Sequence, residues 1–201
     1  SIFNPDALLY RRAKGLLDYD ERMAILLQVV EGEAFGDVYL PHASGVAYSR
    51  NLFRWSPQIR RQDGFLRLVW GLGTRAVDVV SDDYPRLVAL SHPMLYTTAD
   101  FRQRKRYSQQ SVEVIDLEAN RMATLSIRDL LDVDYPPLRF IAQVEEEGYL
   151  ANIRSRAARP EKMIVNFDGL LSRTAFAANI RSALKTLEAH YDSPVDTEFT
   201  L

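Results

Sequence analysis

The chain has 201 residues, 47% hydrophobic and 26% charged, a mixture that suits one sizeable globular domain or two small lobes. Its net charge of −2 argues against a nucleic-acid surface, and the absence of cysteine excludes disulfides, thiolate metal sites and a cysteine nucleophile. No apolar run approaches the length of a membrane helix, the first residues show no signal-peptide pattern, and cysteine-free composition fits a cytoplasmic protein.

In chain order, Asn4-Pro5-Asp6 predicts a helix start, with Asn as cap and Pro in the first turn. The helix should reach about Lys14, where Gly15 can close it. Met23 to Val30 is a continuous apolar run broken only by Gln28, and its length and its Ile and Val content predict a strand buried on both faces. Ser44 to Arg50 and Leu66 to Trp70 predict two more strands, the second ending in the turn Gly71-Leu72-Gly73. A short helix is expected over 74–80, a break at Asp82-Asp83-Tyr84-Pro85, and a short strand from Leu87 to Leu90. Arg102 to Arg106 is a basic run without interleaved aromatics, expected to be a solvated loop or face.

Ser111 to Asp116 and Met122 to Ile127 flank Glu118-Ala119-Asn120 and predict a hairpin. Phe140 to Val144 and Tyr149 to Ile153, around Glu145-Glu146-Glu147-Gly148, fit a second hairpin or a broken helix. Residues 98–160 thus form a β-rich excursion. Met163-Ile164-Val165 predicts a short strand. Thr174 to Tyr191 predicts a helix whose apolar face carries Phe176, Ile180, Ala183, Leu184, Leu187 and Tyr191. Asp192-Ser193-Pro194 ends it, and Val195 to Leu201 reads as a strand still in progress, which suggests that the chain is a piece of a longer protein.

Two positions could carry chemistry. On a strand, Asp196 and Glu198 project to one side while Val195, Thr197 and Phe199 face the other. Paired carboxylates suit a divalent cation that keeps water and phosphate oxygens in its shell, and equally a solvated strand edge. Gln28 needs hydrogen-bond partners if buried, which an adenine edge or a neighbouring backbone could supply. Arg50 could meet a phosphate or a nearby acid. Gly71-Leu72-Gly73 lacks the third glycine of a dinucleotide fingerprint and the lysine of a P-loop, so it reads as a tight turn. His42, His92 and His190 share no ligand spacing.

In this order the pieces resemble the PEP/pyruvate-binding (ATP-grasp) domain of phosphoenolpyruvate synthases and pyruvate phosphate dikinases. Tyr10 to Gly15 followed by Met23 to Val30 is similar to the family's Met-Ala-x-x-x-Gln strand. Ser44-Gly45-Val46 resembles its Ser-Gly-Val segment, and Trp70 to Gly73 its Trp-Gly-Leu-Gly turn. Pro194-Val195-Asp196-Thr197-Glu198 resembles its Pro-x-Asp-x-Glu strand. The departure is Thr74, where most relatives carry an acid.

The resemblance implies an α+β fold: an ATP-grasp C-terminal lobe with a mostly antiparallel mixed sheet flanked by helices and a β-rich insertion. It implies that residues 1–201 form part of that domain, with the basic phosphate grip upstream and a Gln-x-Arg strand downstream. It assigns Gln28, Val30 and Arg50 to the nucleotide and Glu198 with Asp196 to its metal, so ATP and Mg²⁺ are the expected cofactors. The parent would pass phosphoryl from ATP to a histidine and on to pyruvate, with other domains supplying the acceptor and no nucleic acid or membrane involved. A rifampin-type phosphotransferase domain and a non-catalytic binding module are the alternatives.

Overall fold

The computed structural model describes residues 3–20, 22, 24–77, 83–132, 134–154 and 158–201. The first helix, α1 (Pro5–Ala13), starts where its cap predicts: the Asn4 side chain accepts from the Ala7 N–H at 2.7 Å. Lys14 closes it and Gly15 turns away at φ 68°.

Residues 24–32 form no helix or strand. Ile25, Leu26, Leu27 and Val29 are 79–89% exposed, which overturns the doubly buried strand expected there; Met23 lies outside the described residues. An apolar run states a preference for burial, but a strand exists only where a neighbour completes its ladder. No strand pairs with this run among the described residues.

A hairpin follows, β1 (Glu33–Phe35) and β2 (Val38–Leu40), which nothing in the sequence reading anticipated. β3 (Ser44–Tyr48) and β4 (Phe65–Val69) match the two predicted strands. α2 (Thr74–Val77) occupies the predicted helix as far as it is described, since 78–82 lie outside the described residues. β5 (Arg86–Ala89) follows, then α3 (Phe101–Arg106), into which the basic run folds. Asp100 caps α3 by accepting from the Arg102 N–H at 2.9 Å.

The first predicted hairpin is β6 (Ser111–Asp116) with β7 (Arg121–Ser126), Asp116 opposite Arg121. After α4 (Ile127–Leu130) and α5 (Leu138–Ile141), the second is β8 (Ala142–Glu146) with β9 (Tyr149–Ala151). Glu146 faces Tyr149 across a two-residue loop, and Glu147 and Gly148 both take positive φ, as such tight hairpins require. β10 (Met163–Val165), α6 (Asp168–Arg173), α7 (Phe176–Tyr191) and β11 (Asp196–Thr200) complete the chain.

The strands form three sheets rather than the one expected. The central sheet has the order β11-β3-β4-β5, a hairpin sheet β1-β2-β6-β7, and a small sheet β10-β8-β9. All their ladders are antiparallel. The 98–160 region contributes to two of them: β6 pairs with β2, and β8 pairs with β10.

One hydrophobic core joins the layers. It runs from Ala47, Leu66, Leu68 and Val88 of the central sheet through Trp70, Val112 and Val114 to Ile141, Phe167, Leu171 and Leu184. On α7, Phe176 and Leu184 are buried, whereas Ala183 and Tyr191, expected on the same face, are exposed. The Trp70-Gly71 turn ties the central sheet to the hairpin sheet. Gln109 accepts from the Trp70 N–H at 2.8 Å and donates to its carbonyl at 2.9 Å. Trp70 Nε1 donates to the Tyr135 hydroxyl at 3.1 Å. Burial pushes the Tyr135 phenol up to about 12, against the Trp70 hydrogen bond. Gly71 sits at φ 86°, where an added Cβ would come 2.5 Å from the Glu113 carbonyl oxygen, so glycine is required by both conformation and space.

Candidate functional site

The central sheet places the predicted acids by register. Asp196 lies opposite Tyr48, and Glu198 opposite Val46. Both side chains are exposed, while Thr197 and Phe199 turn inward and Phe199 packs on Phe176 with ring centroids 5.7 Å apart. The period-two reading of this strand is therefore correct in direction.

Following the ladders gives the rest of this face. Val46 is opposite Arg67, and Arg67 opposite Leu87, so Glu198, Val46, Arg67 and Leu87 form one row across four strands. Asp196, Tyr48, Phe65 and Ala89 form the next. Two strand spacings separate Glu198 from Arg67, roughly 10 Å between their backbones. α2 rests on the middle of the face, with Ala76 packed against Val46 and Val69. Arg67 donates to the Ala76 carbonyl at 3.4 Å and lies 5.9 Å from the Tyr48 ring centroid. The face thus carries two acids at one edge, an arginine two strands away, and aromatic surface between.

Asp196 and Glu198 form no ion pair among the described residues. No group of three or more His, Asp or Glu side chains converges on a metal position among the described residues. Two free, adjacent carboxylates still fit Mg²⁺, which takes one or two protein carboxylates and completes its shell with water and phosphate oxygens.

The other predicted residues lie elsewhere. Gln28 is exposed in the irregular stretch. Val30 is held beside β2, its carbonyl accepting from the Tyr39 hydroxyl at 2.8 Å. No hydrogen bond or ion pair joins Gln28 to Asp196 or Glu198 among the described residues. Arg50 pairs with Glu188 on α7, which fulfils the nearby-acid alternative for that residue.

A family model described as pyruvate phosphate dikinase, AMP/ATP-binding domain, matches residues 1–201. The chain belongs to this family. No curated protein and no solved structure matches the chain. In this AMP/ATP-binding domain the departure at Thr74 opens α2, and the next residue, Arg75, meets Asp83 at 2.7 Å and Glu113 at 3.6 Å. Asp83 also accepts from the Gln110 and Ser111 N–H groups at 2.8 and 3.0 Å. Arg75 and Asp83 thus build an ionic knot that fastens α2 to the start of β6. Among the described residues no helix is long and apolar enough to cross a membrane.

Sequence reasoning missed a second feature, a cavity of about 490 Å³ beside β5, lined by Arg67, Arg86, Tyr96, Arg104 and Phe167 among others. The Tyr96 hydroxyl donates to Asp168 at 2.6 Å, and the Arg86 guanidinium stacks 3.4 Å from the Tyr96 ring centroid. Burial raises the Asp168 carboxyl above its usual range, against the Tyr96 hydrogen bond and the Arg86 charge. Burial likewise raises the Tyr96 phenol and lowers the Arg86 guanidinium. The only sequence signal was an arginine beginning an otherwise apolar strand, Arg86-Leu87-Val88-Ala89.

Proposed function

We propose that the chain is the Mg-ATP-holding part of an ATP-dependent dikinase-type phosphotransferase. The observation that carries this reading is the pair Asp196 and Glu198, exposed side by side on an edge strand with no cationic partner among the described residues. Their place is to hold Mg²⁺ on the nucleotide phosphates. A bound Mg²⁺ would neutralise phosphate charge and fix the phosphates for in-line transfer. Gln28 and the Val30 backbone are assigned to the adenine edge. The exposed Gln28 amide and the Val30 N–H are open to a base, while the Val30 carbonyl already accepts from Tyr39. Arg50 is assigned to a phosphate only through release of its pair with Glu188.

Phosphoryl transfer asks the protein chiefly for positioning and charge neutralisation. In the parent enzyme the phosphoryl group would pass to a histidine on another domain and then to pyruvate or a different acceptor, as in a rifampin-type enzyme. The 201-residue chain by itself is expected to bind ATP weakly and to turn nothing over. Thr74, where the resemblance leads one to expect an acid, favours a second reading, a binding module that kept the fold without the chemistry. ATP-dependent phosphorylation of the intact protein, followed with γ-labelled ATP, separates the two. The first reading requires Glu198→Gln to abolish labelling without changing the circular dichroism spectrum. No labelling of the wild type, under conditions where it binds Mg-ATP, would establish the second.

A further inference from the structure

The cavity beside β5 lies outside the nucleotide reading. Its approximately 490 Å³ fall within the range of small-molecule sites. Its wall begins at Arg67 and Leu87, the far end of the row that starts at Glu198, and α2 stands on Val46 and Val69 between them.

Its charge is unbalanced. Arg67, Arg75, Arg86 and Arg104 line it with one carboxylate, Asp83, and a second, Asp168, stands behind Tyr96, so four guanidinium groups face two acids among the described residues. Asp83 is already engaged by Arg75 and by two backbone N–H groups. The Arg86 side chain is 8% exposed. Its nearest acid, Asp168, stands 3.8 Å away, beyond hydrogen-bond reach, and accepts from Tyr96 instead. The Arg86 Nη1 and Nη2 donate to the Leu87 and Pro93 carbonyls at 3.2 and 3.4 Å, neutral acceptors, while its Nε is buried without a hydrogen-bond partner among the described residues. Arg104 lies 3.9 Å from the same Tyr96 ring and donates to the Thr98 carbonyl, but pairs with no acid among the described residues. Two guanidinium groups thus share one ring in a largely desolvated place. Buried charge without full pairing is costly, and an incoming anion would relieve that cost. The rest of the wall is largely apolar, including Leu87, Val165 and Phe167.

We propose that this cavity is a second ligand site, separate from the nucleotide face, for a small organic anion. Its carboxylate or phosphate group meets Arg86 and Arg104, and its flat apolar body lies against Leu87, Val165 and Phe167. Arginine suits this role because its planar fork matches both oxyanions.

The test is side-chain Nε–H NMR of the protein titrated with phenyl phosphate, benzoate and, as the uncharged control, phenol. Saturable shifts of the Arg86 and Arg104 resonances are expected with at least one anion, at a Kd below about 1 mM, and none with phenol. Which of the two anions binds more tightly identifies the headgroup. Arg104→Gln should weaken binding about tenfold, and Arg86→Gln should abolish it. Should Arg86→Gln fail to fold, the wild-type and Arg104→Gln titrations still decide. An unmoved Arg86 Nε–H at roughly 10 mM of both anions, or equal shifts with phenol, overturns the proposal. Displacement of the anion by Mg-ATP, with matching shifts on β11, overturns it as well, because the cavity would then belong to the nucleotide.

Discussion

Replacing Asp83 by alanine tests how the region around α2 is held. The Asp83 carboxylate is 7% exposed and accepts three hydrogen bonds, from Arg75 at 2.7 Å and from the Gln110 and Ser111 N–H groups at 2.8 and 3.0 Å. Its removal leaves the Arg75 guanidinium, 11% exposed, facing only Glu113 at 3.6 Å. It also strips two backbone donors at the start of β6. Removing one partner of a buried pair typically costs about 3–5 kcal/mol. Glu113 offsets part of that, so a loss of about 3 kcal/mol is expected. For a chain of this size that corresponds to a fall in Tm of roughly 6–12 °C. Urea titration followed by tryptophan fluorescence in a Trp55→Phe background reads the change, because Trp70 and its Gln109 partner lie next to the lost contacts. A loss below about 0.5 kcal/mol, the ordinary level for a surface substitution, would refute the idea that this knot fastens the hairpin sheet to the central sheet.

Further outcomes follow from the same contacts. Gly71→Ala places a Cβ against the Glu113 carbonyl at positive φ and should cost about 2–4 kcal/mol, seen as a lower denaturation midpoint and faster amide exchange in β6. Trp70→Phe removes the bond to the Tyr135 hydroxyl while keeping most of the buried ring, so about 1–2 kcal/mol should be lost; adding Tyr135→Phe should cost less than it does in the wild type. Burial pushes the Asp63 carboxyl up, but the Arg60 N–H, the Ser91 hydroxyl and the Arg60 guanidinium together hold it below the ordinary aspartate value. Since the folded value lies below the unfolded one, its stabilisation is present above about pH 4 and fades as pH falls further. The stability gap between wild type and Asp63→Asn should therefore be constant from neutral pH down to about pH 4 and shrink below it. A gap that does not change down to acid denaturation would contradict this.

Much of the fold was legible because local rules and tertiary demands agreed. Asn4-Pro5 capped a real helix, the β3 and β4 runs were buried as their composition asked, and Glu147-Gly148 took the positive φ pair of a tight hairpin. The run from Ile25 to Val30 misled because composition reports apolarity and says nothing about which strand is available to pair with it. The division into three sheets was equally hidden, since β6 pairs with β2 and β8 with β10 through contacts remote in sequence. α6 escaped notice because it is six residues long and begins after Phe167, an aromatic residue in the left-handed region that gives no cap signal. Of the candidate site, the common direction of Asp196 and Glu198 followed from strand period alone. The row that leads from Glu198 to Arg67 needed the register, and the Arg86, Tyr96 and Asp168 cluster needed the fold, because its members are up to 82 residues apart.

The most direct measurement is the affinity of the intact protein for Mn-ATP, followed by electron paramagnetic resonance with Mn²⁺ in place of Mg²⁺. If Asp196 and Glu198 hold the nucleotide's cation, Glu198→Gln should weaken Mn-ATP binding roughly tenfold or more, about 1.4 kcal/mol, while Tyr191→Phe, nearby and exposed, should leave it unchanged. Wild-type affinity in the Glu198→Gln protein would contradict the assignment of this strand to the metal.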